Sequence, residues 1–184
     1  MKRNVWKGML TAGALTASVL TANSALAAVD MFLNMKSGNI LGESADAKHK
    51  DEIDVLAWSW GASQGTARTK KGVLPAACVQ DLSFTKFIDK ATADLIGAGV
   101  TGATIPTAVL TMRKAGGAQL EFLKLEMSNV SVSSFSTGGS GGEDRLTENV
   151  TLHFASIKGT YRQQLSDGQL GPEKTFQIDG GCPE

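Results

Sequence analysis

Glu52-Ile-Asp-Val-Leu-Ala-Trp-Ser-Trp-Gly-Ala62 is the stretch that decides the fold. Its β-branched and aromatic content favours a strand over a helix. With a side-chain period of two, Leu56, Trp58 and Trp60 fall on one side and Val55, Ala57 and Ser59 on the other, so both faces are at least partly covered. Two indoles two residues apart read as core packing, because nothing nearby supplies the polar partners that a sugar or a base would need.

Similar segments lie on either side. Residues 29–36, 77–87, 107–114, 120–135, 147–163 and 174–179 are rich in Val, Thr, Ser and Phe and are separated by Gly-rich turns, which predicts a mainly β domain. One helix interrupts them over residues 91–98, with Asp89 or Thr92 available to cap its start and Gly97 and Gly99 to close it. Two stretches resist assignment to regular structure. Residues 61–76 hold Gly65, Arg68, Lys70, Lys71, Gly72 and Pro75, a long polar excursion of the kind that binds something or touches a neighbour. Residues 136–144, Ser-Thr-Gly-Gly-Ser-Gly-Gly-Glu-Asp, are too glycine-rich for a regular element and can bring backbone close to a partner. The pattern contains no internal repeat and no second domain.

The 184 residues carry 18 basic and 18 acidic side chains, with 42% hydrophobic and 20% charged residues. That is an ordinary globular composition, and it lacks the basic field that gathers nucleic acid or anionic lipid. The charge is unevenly placed, however. Lys2, Arg3 and Lys7 are the only charged residues before Asp30, a weakly apolar run follows from Gly8 to about Leu20, and Ala25-Leu26-Ala27 supplies a small-x-small cleavage site. This is the pattern of a secretory signal, and its run is too short and too rich in Ser and Thr to span a bilayer. The reading is therefore a cleavable signal over residues 1–27 and one domain over residues 28–184, periplasmic or secreted, without stable membrane insertion. Losing three cations with the signal makes the working chain mildly acidic.

Catalytic patterns are present only formally. Gly138-Gly-Ser140-Gly-Gly142 fits a nucleophile-elbow pattern, with Asp144 and His153 following in hydrolase order. An elbow needs a strand, a sharp turn and a helix, whereas residues 146–163 read as β structure. The loop also lacks the Lys-Ser/Thr that completes a phosphate-binding loop. His49, Asp51, Glu52 and Asp54 cluster in sequence, but Lys48 and Lys50 flank the histidine and oppose a cation, so the segment reads as a solvated turn. His153 reads as a surface residue on the polar face of its strand. No catalytic residue, metal or cofactor is expected. The two cysteines, Cys78 and Cys182, are open to two readings: paired in an oxidising compartment, or buried thiols on unrelated strands. Closing a loop of roughly 100 residues would stabilise the chain by about 4–5 kcal/mol on the chain-entropy account.

From Ala28 onward the residues carry a family resemblance. Ala28-Val-Asp-Met-Phe-Leu33, Lys48-His-Lys-Asp-Glu-Ile-Asp-Val-Leu56 with Trp58-Ser-Trp-Gly-Ala62, and Val79-Gln-Asp-Leu-Ser-Phe-Thr-Lys86 resemble the Hcp family, the haemolysin-coregulated proteins of bacterial type VI secretion. Ile88-Asp-Lys90, Arg113-Lys-Ala-Gly-Gly117 and the block from Ser136 to Val150 continue the match. The resemblance implies a β-barrel of two sheets with one helix at its side and a long extended loop. It also implies homo-oligomeric, hexameric rings that stack into a tube propelled by the secretion machinery, with effector proteins carried in the lumen. On this resemblance the loop holding Gly65, Arg68, Lys70 and Lys71 reaches toward the neighbouring ring. Three features depart from the family's usual text: the signal-like leader; residues 68–75 with residues 100–108; and the cysteines, Cys78 just before the matching Val79 and Cys182 in the tail, so that a disulfide between them would belong to this exported branch. The leader supports an alternative, an exported protein-binding module that keeps the barrel without building tubes.

Overall fold

The computed structural model describes residues 28–64, 77–115, 119–142 and 144–180. The expected signal, with its cleavage residues Ala25 and Ala27, lies outside them. The elements run β1 (Val29–Asn34), a short 3-10 turn (Lys36–Gly38), β2 (Ile53–Ser59), β3 (Ala62–Ser63), β4 (Cys78–Val79), β5 (Leu82–Phe87), α1 (Ala91–Thr101), β6 (Ile105–Lys114), β7 (Glu121–Gly138), β8 (Thr147–His153), β9 (Ser156–Gln164) and β10 (Leu170–Asp179).

Six of these strands close into a barrel in the order β7-β6-β1-β2-β5-β8, with β8 returning to β7. Every pairing in the ring is antiparallel. Strand β7 makes closure possible because it is 18 residues long and serves both sheets. Its first half pairs with β6 on one edge and β9 on the other, and its second half pairs with β8. The turn between halves is made by Asn129, at φ 48°, and by a bulge between Val132 and Ser134. Strands β9 and β10 extend beyond the closed ring as a two-stranded flap. The mainly β, two-sheet barrel expected from the sequence is the architecture observed.

The interior is apolar and continuous: Leu33, Ile53, Phe84, Leu110, Leu125, Val150 and Leu152 are buried in one cluster. Alternation puts them there, as in β5, where Leu82, Phe84 and Lys86 point in and Ser83 and Thr85 do not. The same logic fails in β2. Between Val55 and Ala57 the register against β5 slips, so Leu56 is an extra residue on that strand. Ile53 and Val55 face inward before the bulge, and Trp58 and Trp60 pack on the core after it, while Leu56 is turned out at 41% exposure. Leu56 therefore does not share the tryptophans' face; the bulge reverses the parity on which that expectation rested. The expected single strand over 147–163 is likewise two, because Phe154 and Ala155 break it where β9 leaves the barrel.

Helix α1 packs against β7 through Ala91, Leu95 and Ala98. It continues three residues past its expected end: Gly97 and Gly99 lie within it, and Gly102 closes it at φ 66°. Asp89 does act at its start. Its Oδ1 accepts the Ala91 N–H at 2.9 Å, and Thr92 Oγ1 accepts the Asp89 N–H at 3.1 Å. Beneath this turn Lys86 and Glu148 are both fully buried, with Nζ 2.6 Å from Glu148 Oε1 and 2.6 Å from Asp89 Oδ1. Lys86 also donates to the Phe87 carbonyl at 2.9 Å, and Thr92 Oγ1 donates to Glu148 at 3.0 Å. A charge buried this deeply is tolerated only because every partner is present.

Lys86→Met is therefore expected to cost about 3–5 kcal/mol in urea unfolding, since it strands the Glu148 carboxylate. Lys86→Met with Glu148→Leu should recover most of that loss. A double variant as unstable as the single one would show that the pair stabilises the barrel rather than orienting α1.

Candidate functional site: two outer faces and a clamped loop

The formal hydrolase pattern is not assembled. Ser140 lies in the exposed turn that joins β7 to β8, and among the described residues strands rather than a helix follow it. His153 is opposite Ser131 at the far end of β8, whereas Gly138 is opposite Thr147. Six strand steps at about 3.3 Å separate the two ends by about 20 Å. The imidazole of His153 instead meets Asp81, Nδ1 to Oδ1 at 2.9 Å, and Ser133 donates to the other Asp81 oxygen at 2.6 Å. His153 is half-exposed, as its strand position suggested.

The region around His49 departs from its expected solvated turn. His49 and Glu52 are 6% and 7% exposed, and Nδ1 lies 2.9 Å from Glu52 Oε2. The imidazole stacks on Phe32 at 4.2 Å with the ring planes 6° apart, and Nε2 is 3.5 Å from Glu121 Oε1. Phe32 also lies beneath the Arg113 guanidinium, 4.8 Å from the ring centroid. Among the described residues no cluster of His, Cys, Asp and Glu has a metal-holding arrangement. The segment 41–52 is thus a lid of side chains folded over the outer face of β1 and β6. Lys36 Nζ donates to the Lys50 carbonyl at 2.6 Å, and Lys90 Nζ pairs with Asp51 at 3.0 Å.

Arg113 is the anchor of that lid. It is 3% exposed and pairs with Asp46 from the segment and Asp30 from β1. The Asp46 carboxyl is held down to about 2, first by the hydrogen bond from Arg113, against an opposing effect of burial and with help from the N–H groups of Lys48 and His49. The guanidinium is correspondingly pushed up, Asp46 again being the largest cause.

Outside the lid, the barrel carries two different outer faces. On the β2-β5-β8-β7 side, the central outward ladder positions are Ala57 and Ser59, Ser83 and Thr85, Asn149 and Thr151, and Ser134 and Ser136, and the His153–Asp81 pair lies at one rim. None of the central positions bears a charge, and neighbours satisfy each other: Ser83 Oγ and Thr151 Oγ1 are 3.0 Å apart, and Thr85 donates to Asn149 Oδ1 at 2.7 Å. On the β7-β9-β10 side the outward rows read Glu126 opposite Lys158, Lys124 opposite Thr160, and Arg162 opposite Glu173. One face is neutral and hydroxyl-lined, and the other alternates in sign. Sequence reading did not find the neutral face, although alternation in Leu82–Phe87 and Thr147–His153 contains it.

The loop residues singled out from sequence, Gly65, Arg68, Lys70 and Lys71, lie outside the described residues, as does Cys182. The structure does describe the root of that loop. Strands β3 and β4 pair Ala62 with Val79 and Ser63 with Cys78, and the Gln80 N–H reaches the Gly61 carbonyl at 2.9 Å. Cys78 is half-buried.

The depressed Asp46 carboxyl makes the lid acid-sensitive. The folded value of about 2 lies below the ordinary 3.8, so the stabilisation is complete above about pH 5 and is lost as pH falls toward 2. Asp46→Asn should lower neutral-pH stability by about 1–3 kcal/mol. It should also flatten the urea midpoint between pH 5 and 2 relative to the parent. Parallel pH curves for the two proteins would contradict the assignment.

Comparison with known proteins places this barrel among relatives. A family described as the type VI secretion system effector Hcp matches residues 32–161. Protein hcp1 of Pseudomonas aeruginosa is 56% identical over 152 residues, covering 80% of this chain and 93% of that protein. The crystal structure of Hcp1 from Salmonella typhimurium superposes with a TM-score of 0.70 at 37% identity, covering 83% of this chain and 95% of that one. A type VI secretion system effector from Yersinia pestis gives a TM-score of 0.66 at 32% identity, over 82% and 99% of the two chains.

Proposed function

The chain belongs to the Hcp family of type VI secretion proteins, and from that premise we propose that it is a ring-forming tube subunit whose neutral β2-β5-β8-β7 face lines the lumen and passes effector proteins. The observation that carries this reading is the division of the outer surface. A passage for folded cargo must not hold it, and desolvated charge pairs are the contacts that slow dissociation most. Hydroxyls already paired with one another, as in Ser83 with Thr151, offer a passing protein little. The opposite face, with Glu126 beside Lys158 and Arg162 beside Glu173, stays solvated and suits the outside of an assembly.

Six copies form the ring in this reading, and the loop that holds Gly65, Arg68, Lys70 and Lys71 makes contact between stacked rings. The leader ending at Ala25-Leu-Ala27 exports the chain, which then works in the periplasm or outside the cell as residues 28–184. Among the described residues no helix is long and apolar enough to cross a membrane. A second reading is supported by the leader itself. Tube subunits assembled in the cytoplasm need no such signal, so an exported barrel that binds a protein partner without forming tubes explains residues 1–27 more simply.

Native mass spectrometry of the exported protein at high concentration is expected to show a ring of six chains. Monomer alone under those conditions would contradict the tube reading. Cell fractionation separates the two proposals: release that depends on the contractile machinery supports the tube. Periplasmic accumulation unchanged by deletion of that machinery supports the binding module.

A further inference from the structure

The neutral face ends in one titratable pair. Along β8 the outward positions run Asn149, Thr151 and then His153, and Asp81 stands just before β5, whose outward positions are Ser83 and Thr85. The two side chains meet with His153 Nδ1 2.9 Å from Asp81 Oδ1. The other Asp81 oxygen accepts the Ser133 hydroxyl at 2.6 Å. Ser133 is in place because it is the extra residue of the β7 bulge, set between Val132 and Ser134. Both carboxylate oxygens are thus engaged, yet the pair stays open to solvent, with side-chain exposures of 49% for His153 and 33% for Asp81. A carboxylate only accepts, so Asp81 holds the imidazole proton on Nδ1 and leaves Nε2 to take up a second one from solvent. Around His153 stand Asp81 from the link between β4 and β5, Ser131 and Ser133 from β7, and Thr151 on its own strand. Asp81 is the charged group among these. The pair therefore carries one negative charge when the imidazole is neutral and none when it is protonated, and histidine is the side chain that makes this change between about pH 5 and about pH 8.

We propose that His153 and Asp81 give the neutral face an acid-sensitive charged rim, which draws basic segments of a passing protein near neutral pH and ceases to do so in acid. This rests on the reading that the face lines a lumen. The central hydroxyls are indifferent to the charge of the cargo, whereas the rim selects for it. One partly exposed carboxylate contributes little by itself. A ring repeats it around one mouth, where charges of a single sign raise the local concentration of oppositely charged cargo. Asp81 directly follows Gln80, whose N–H reaches the Gly61 carbonyl at 2.9 Å, so this rim lies at the β3-β4 end of the barrel.

Fluorescence anisotropy of labelled oligolysine and oligoglutamate peptides of equal length, with the exported protein at about pH 8 and about pH 5, tests this. Oligolysine affinity of the parent should fall at least about threefold in acid. His153→Gln keeps the Asp81 charge and should bind oligolysine alike at both pH values, and Asp81→Asn should bind it more weakly than the parent at the higher one. An equal acid loss in the parent and His153→Gln, the same loss with oligoglutamate, or an Asp81→Asn variant that binds as the parent does would overturn the rim. Nitrogen NMR of the parent's imidazole gives a second reading that needs no peptide. The proton should stay on Nδ1 throughout and arrive on Nε2 in acid; the opposite tautomer would overturn the pairing. The charge belongs to each chain, so pH-dependent binding by a monomer upholds it and contradicts only the ring.

Discussion

Closure of the barrel through β7 is the constraint on which the rest of the molecule depends. An 18-residue strand that pairs with β6 and β9 in its first half and with β8 in its second removes the free edges that two separate sheets would expose. The bend that allows it needs a residue at positive φ, Asn129, and an extra residue near Ser133. Once the ring is closed, alternation has only one outcome. Leu125, Val150 and Phe84 fill the interior, and the positions between them become an outer surface.

Charge is then used to orient what closure alone leaves free. A short helix with two internal glycines has little stability of its own, and the buried Lys86, Glu148 and Asp89 set where it starts. The segment 41–52 contains no strand, and Arg113 with Asp46 and Asp30 sets where it lies. In both places desolvation consumes most of the Coulombic gain, so these groups specify geometry more than they add stability. Phe32, which a half-open sheet would leave exposed, is buried outward under His49 for the same reason.

Much of this was legible in the sequence, and the parts that were not have physical causes. Strands such as Leu82–Phe87 follow a strict period of two, so their identity and inward faces can be read directly. The bulge at Leu56 cannot, because a one-residue insertion changes parity without changing composition. Helix α1 outran its expected end because the left-handed residue that closes it is Gly102, at φ 66°, whereas Gly97 and Gly99 stay within the helix. His49 was misread because flanking lysines describe the surface of the segment, whereas Phe32 and Glu121, distant in sequence, form its underside. The neutral face was overlooked since no single hydroxyl in it is distinctive. Its character appears only when β2, β5, β8 and β7 are laid side by side.

That face is the link between fold and function. In the ring we propose, a barrel with one side uncharged at its centre and one side of alternating charge turns the uncharged side to the pore, because that side would let cargo move past without being held. The most direct test is electron microscopy of the assembled protein at a resolution that traces side chains. The account predicts Ser83, Thr85, Asn149 and Thr151 directed into the pore, with Lys124, Lys158 and Arg162 outside. A pore lined by the lysines and Arg162, with the hydroxyl face turned outward, would contradict it.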